Sequence, residues 1–273
     1  MKIRYVKYSP TGNITVLVTS PVPRDRQAAV AAKLLEPDIV GGEQVGYLEI
    51  ATDPRAAARL QMMGGEFCGN ATMSLGALLC RRDGLPEGEA RSLRLEVSGA
   101  KGTVPCTLAR EGEDWLGTVR MPLPTAIEHV DLPIDGEEFR APLVRMPGIA
   151  HLIVPAGIGL GEAEVRRFLP LWNAGIGADA LGALLWNAPS RFINPIVYVP
   201  SASTLVREHG CGSGTAAVGS WLATAAGRTV EMPVHQPGGT IQVTAAILHG
   251  RLTALSITGR VKLVDEGEVD IPD

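Results

Sequence analysis

The sequence predicts an α+β fold made of two similar domains that arose by internal duplication, and three observations carry that reading. The stretch EFCGNATMSLGALL (66–79) sets a cysteine and a glycine ahead of an apolar helical run, and HGCGSGTAAVGSWL (209–222) does so again. Around each stretch the elements come in the same order: strands, a helix, strands, the cysteine-led helix, strands. The chain has 273 residues, 45% of them hydrophobic, which is enough for two domains with separate cores. The boundaries expected are 1–117 for the first domain and 118–262 for the second, with 263–273 a candidate to return to the first.

Each element has its own signal. KIRYVKYSPTGNITVLVTS alternates polar with β-branched or aromatic residues around Pro-Thr-Gly-Asn, the pattern of two strands and a turn. RDRQAAVAAKL (24–34) reads as an Ala- and Leu-rich helix, and VGYLEIAT as a strand after a Gly-Gly turn. The Cys68 helix ends near Arg81-Arg82, where cations suit a helix C-terminus. RSLRLEVSGAKGTVPCTLA and DWLGTVRMPLP follow as strands. After Pro124 the pattern restarts: FRAPLVRMPG and AHLIVPAG as strands, GEAEVRRFLPLW as a helix, RFINPIVYVP as a strand, then the Cys211 helix. TIQVTAAILHGRLTALSITGRVKLVDEGEV is expected to form three strands separated by glycine turns.

Composition excludes several function classes. Twenty-five Lys and Arg against 29 Asp and Glu give a formal charge of −4 without a basic stripe, which argues against a nucleic-acid partner. The first residues carry charges and lack the apolar core of a signal peptide. No run approaches the roughly 18 apolar residues of a membrane span. Four cysteines without secretion signals fit a reducing compartment, so a cytoplasmic location is expected.

A thiol at a helix start has a specific chemistry. The first turn leaves backbone N–H groups without intrahelical partners and carries a partial positive charge. That charge lowers a thiol's pKa, and the N–H groups can hold a carboxylate, with glycine allowing close approach. Two such starts facing one cleft would hold a carboxylate with a thiol on either side of the adjacent carbon. One thiolate would remove the α-proton and the other thiol would return a proton to the opposite face. The bland reading of a cysteine is a small buried hydrophobe. It suits Cys80, on an apolar helix face, and Cys106, inside a strand. A zinc site is not expected, because neither CxxC nor HxxxH spacing accompanies Cys68 or Cys211. No cofactor is implied: a Schiff-base lysine motif is missing, and SGTAAVG departs from G-x-G-x-x-G.

FCGNAT and GCGSGTAA resemble the paired signatures of the diaminopimelate epimerase family of PLP-independent amino-acid racemases. Gly12-Asn13, Glu43-Gln44, Arg191-x-x-Asn194 and the HQPGG run resemble further family motifs, so the likeness covers nearly the whole chain. It implies two similar domains, each a curved, mostly antiparallel sheet around a central helix, with the active site in the cleft between them. It implies Cys68 and Cys211 as catalytic bases. Gly69, Asn70, Gly212 and Ser213 would bind the α-carboxylate through backbone N–H groups, with Gln44 and Glu208 near the α-amino group. Asn13 and Asn194 complete the substrate-binding set, and Glu43 and His151 are candidates for recognising the substrate side chain.

Where the sequence departs from that family is informative. The family's Asn-Ala-Asp-Gly run is here Leu60-Gln61-Met62-Met63-Gly64-Gly65, its Asn-Pro-His keeps only His151, and the segment before Cys211 is compressed to VREHG. These positions grip the far end of diaminopimelate, so a different substrate is expected. GGEFCGNAT resembles the histidine racemases of opine metallophore pathways, which makes histidine the leading substrate. Glu43, Gln61, His151 and His209 are polar residues able to meet an imidazole, while His129, His235 and His249 read as structural. The alternatives are a diaminopimelate epimerase and a phenazine-biosynthesis-like isomerase, the latter kept open by Glu43. The expected partner is a small amino acid, with a homodimer left open.

Overall fold

The computed structural model describes residues 1–271, which divide into two compact units: Met1–Arg120 with the chain from Thr258 onward, and Met121–Ile257. Residues 272 and 273 of the expected 263–273 return lie outside the described residues.

In the first unit β1 (Lys2–Pro10) and β2 (Thr15–Val18) are antiparallel across the Pro-Thr-Gly-Asn turn, where Thr11 and Gly12 take positive φ. Helix α1 (Gln27–Leu34) then crosses to β3 (Gln44–Glu49), parallel to β2. Strand β4 (Ala58–Met62) returns antiparallel, and α2 (Gly69–Arg82) crosses to β5 (Ala90–Val97), parallel to β4. Strands β6 (Thr103–Glu111) and β7 (Asp114–Arg120) complete a meander.

The second unit repeats this plan. After β8 (Ala126–Ile134), strands β9 (Glu137–Met146) and β10 (Ile149–Pro155) are antiparallel, and α3 (Glu162–Ile176) crosses to β11 (Leu181–Asn187), parallel to β10. Strand β12 (Phe192–Val199) returns antiparallel with the short β13 (Thr204–Arg207) at its side. Helix α4 (Gly212–Ala226) crosses to β14 (Val230–Gln236), parallel to β12, and β15 (Gly239–Leu248) follows. Each cysteine-led helix is thus the crossover between two parallel neighbours, a connection that parallel pairing requires.

The expected three strands after residue 239 are two, because β16 (Arg251–Asp270) runs for 20 residues through Gly259 without turning. A glycine marks a turn only where its backbone leaves the extended region, and Gly259 stays in it. The strand starts in the second unit beside β15, then enters the first, pairing with β1 from Pro10↔Val261 to Lys2↔Asp270 and lying beside β7. The first unit's strands therefore close on themselves around α2, which touches β1, β2 and β4 to β7.

Pleat alternation decides which side chains reach the cysteine-led helices. In the first unit Val16, Val18, Val45 and Tyr47 pack with Val30, Ala31 and Leu34 of α1, so Thr15, Leu17, Gln44 and Gly46 point to α2. In the second, Ala150, Leu152, Val154, Leu181, Ala183 and Ile196 pack with Val165, Phe168, Leu169 and Trp172 of α3. His151, Gly182 and Leu184 point the other way. Both cysteine-led helices also carry a glycine eight residues after the cysteine. At Gly76 a side chain would collide with Leu108, and at Gly219 with Val243, so each helix seats directly on a strand residue.

Candidate active site

Cys68 and Cys211 are the N-caps of α2 and α4. Each has extended backbone, φ −131° and ψ 113° for Cys68, φ −107° and ψ 100° for Cys211. An N-cap side chain normally accepts from the third helical N–H through oxygen. Here sulfur takes that place: Ala71 N–H donates to Cys68 Sγ at 3.4 Å, and Gly214 N–H to Cys211 Sγ at 3.3 Å. The threonine four residues on locks each cap. Thr72 Oγ1 donates to the Cys68 carbonyl at 2.6 Å, and Thr215 Oγ1 to the Cys211 carbonyl at 2.9 Å. Gly69 and Asn70, and likewise Gly212 and Ser213, occupy the first two helical positions, whose N–H groups the helix itself does not use.

The surroundings of the two thiols differ. Around Cys68 the structure gathers an amide network from the β1–β2 turn, β2, β3 and α2. The thiol donates to Gln44 Oε1 at 3.1 Å, while Gln44 Nε2 donates to Asn13 Oδ1 at 2.6 Å and Thr15 Oγ1 at 2.8 Å. Asn70 Nδ2 adds a bond to Asn13 Oδ1 at 3.1 Å, and Asn13 Nδ2 donates to Glu43 Oε2 at 2.6 Å. Asn13, Glu43, Gln44, Cys68, Asn70 and Thr15 thus form one connected set. Thr15 escaped notice in the sequence, because only the pleat phase of β2 shows that it shares a face with Gln44.

Cys211 is buried and held by different groups. Its N–H donates to Gln236 Oε1 at 2.6 Å, and Gln236 Nε2 donates to Thr215 Oγ1 at 3.2 Å, closing a loop through the Cys211 carbonyl. Ser213 Oγ lies 3.5 Å from Cys211 Sγ and 2.9 Å from His151 Nε2. Glu208, whose N–H is fixed on the Pro195 carbonyl at 3.0 Å, bears electrostatically on the thiol. The thiol's pKa is raised well above the ordinary value, first by burial and then by the charge and hydrogen bond of Glu208. The helix start alone predicts a lowered pKa, so Cys211 corrects that expectation: desolvation and a neighbouring carboxylate outweigh the Gly214 N–H and Ser213 bonds. Gln236 lies within the HQPGG run without having stood out in it.

Asn194 and Gln61 fall outside these two sets, whereas His151 joins the Cys211 set through Ser213. Asn194 shares its face of β12 with Ile196 and Tyr198, the α3 side, and accepts from Arg207 Nε at 2.7 Å beside Glu162. The pleat therefore turns it away from Cys211. His151 is fully buried, with Ser213 at Nε2 and Gly182 against Nδ1, so its ring faces its own unit's interior. Gln61 is buried and donates to the Met62 carbonyl at 3.0 Å, while His209 is exposed. Cys80 and Cys106 are buried, and burial raises both their pKa values. No described helix is long and apolar enough to cross a membrane.

Comparison with known proteins extends this picture. A family model described as "Histidine racemase CntK N-terminal domain" matches residues 2–269. A histidine racemase of Staphylococcus aureus (strain Mu50) is 29% identical over 273 residues, covering 98% of each chain. A solved hydroxyproline epimerase from Agrobacterium vitis superposes with a TM-score of 0.74 at 17% identity, over 100% of this chain and 93% of its own. A Bacillus anthracis phenazine biosynthesis protein of the PhzF family superposes with a TM-score of 0.70 at 17% identity, over 99% of this chain and 100% of its own. These two structures share the fold.

Proposed function

The chain belongs to the family described as histidine racemase CntK N-terminal domain, and from that premise we propose that it interconverts L- and D-histidine by two-base, cofactor-independent proton transfer at Cα. The observation that carries the reading is the pair of cysteine N-caps. Each places a sulfur at a helix start on extended backbone, where it accepts the third helical N–H.

In the forward direction one cysteine thiolate takes the Cα proton, leaving a planar carbanion delocalised into the carboxylate. The other thiol donates its proton to the opposite face, and the enantiomer leaves with the two sulfurs' protonation states exchanged. Helix-start N–H groups at Gly69, Asn70, Gly212 and Ser213 stabilise the charge that builds on the carboxylate. Gln44 and Glu208, each beside one thiol, are the candidates to orient the α-amino group. Glu43, anchored by Asn13, is the candidate to meet the imidazole. The mechanism requires both thiols to reach opposite faces of a single Cα.

The test is α-proton exchange. Reduced protein in D₂O with L-histidine, and separately with diaminopimelate and other L-amino acids, is followed by loss of the Hα signal and by optical rotation. Exchange with racemisation of histidine is expected. The same result with diaminopimelate alone would make the chain an epimerase of that substrate. Exchange with no amino acid would reject the racemase reading and favour an isomerase using Glu43.

A further inference from the structure

A histidine that the two-thiol chemistry does not itself use lies behind Cys211. The parallel register of β10 and β11 sets His151 beside Gly182, and a side chain at Gly182 would land on the imidazole Nδ1. The Gly182 Cα–H therefore points at that nitrogen. Nδ1 is buried with no hydrogen-bond partner, whereas Nε2 lies 2.9 Å from Ser213 Oγ, itself 3.5 Å from Cys211 Sγ.

The tautomer sets the direction of this chain. A proton on Nδ1 would be a buried N–H with no acceptor, aimed at a C–H, and orphaned buried N–H groups are rare and costly. A bare Nδ1 instead offers its lone pair to the Gly182 Cα–H, a weak but favourable contact. Burial disfavours the doubly protonated ring as well, pushing the His151 pKa down to about 3. The proton thus belongs on Nε2, which donates to Ser213 Oγ. A serine hydroxyl has a single hydrogen, and once its oxygen accepts from His151 that hydrogen is left for the Cys211 sulfur.

We propose that His151 is a positioning residue for Cys211: as a neutral Nε2–H imidazole it turns the Ser213 hydroxyl toward the sulfur and so selectively stabilises the thiolate. A hydrogen bond to a thiolate is charge-assisted, whereas one to a thiol is weak, so the relay acts on one protonation state. It opposes the burial and the Glu208 carboxylate that hold Cys211 protonated. No proton travels along it; the proton taken from Cα stays on sulfur. The inference rests on the racemase reading for its catalytic consequence, but not for its geometry.

The experiment pairs NMR with kinetics. ¹⁵N-histidine-labelled wild-type protein is expected to show a neutral Nε2–H ring, unchanged from neutral to mildly acidic pH, whose signal disappears in His151→Phe. His151→Phe and Ser213→Ala should each lower kcat about tenfold, the equivalent of one charge-assisted hydrogen bond, with KM changed by less than about twofold. Ser213→Thr, which keeps the hydroxyl, should retain most of kcat. An Nδ1–H ring or an imidazolium in the wild type would overturn the relay. So would a raised KM with intact kcat in Ser213→Ala, which would make Ser213 a substrate ligand only. If wild-type protein exchanges no amino-acid α-proton, the racemase reading falls, while the ring tautomer still decides the hydrogen-bond chain.

Discussion

Cys68 and Cys211 share a backbone and differ in nearly every side chain around it. Each caps a helix through sulfur and is locked by a threonine four residues on. Yet Cys68 is partly exposed and donates to a neutral amide, whereas Cys211 is buried between a carboxylate and a serine–histidine pair. The two units share what positions a thiol and differ in what surrounds it. For a reaction in which one sulfur starts as base and the other as acid, unequal surroundings are a natural solution.

The comparison breaks most severely at the sulfurs themselves. Cys68→Ser and Cys211→Ser should each lower racemisation by about 10³-fold, in the range of general acid–base contributions. Measured by optical rotation, a variant that kept near-full activity would show that the two caps are not a catalytic pair. Next in size is Gly182→Ala, which has to displace a buried ring and should cost about 3 kcal/mol in chemical denaturation. Gln236→Leu should cost about 2 kcal/mol, because the buried Cys211 N–H loses its acceptor; an unchanged denaturation midpoint would show the clamp to be idle.

Glu208→Gln is the mildest change and the most discriminating. The carboxylate raises the Cys211 pKa, so neutralising it should let the thiol ionise at lower pH. Site-resolved alkylation of Cys211 against pH would then shift toward acid, while the Cys68 profile stays in place. A shift of both profiles would mean that the two surroundings are less independent than their separate partners indicate.

Much of this was legible in residue order. The cysteine-led helices begin where Cys-Gly precedes an apolar run, and the restart after Pro124 matches a second set of crossovers. Asn13, Gln44 and Asn70 were marked by motif, and they meet around Cys68. Asn194 was marked in the same way, but the pleat of β12 turns it to the α3 side. The Gly259 turn failed because a glycine in an unbroken ladder stays extended.

The sequence by itself determined the local chemistry: a sulfur at each helix start, a threonine to lock it, and a glycine eight residues on to seat the helix. These are short-range relations, written in spacings of three, four and eight residues along one helix. The tertiary structure alone decided the partners of each thiol. Gln236, Gly182 and His151 reach Cys211 or its relay from separate strands, through pairing register and pleat phase. Burial, which raises one thiol's pKa against the helix charge, is likewise a property of the packed fold, since no span of sequence shows how much water a side chain will keep.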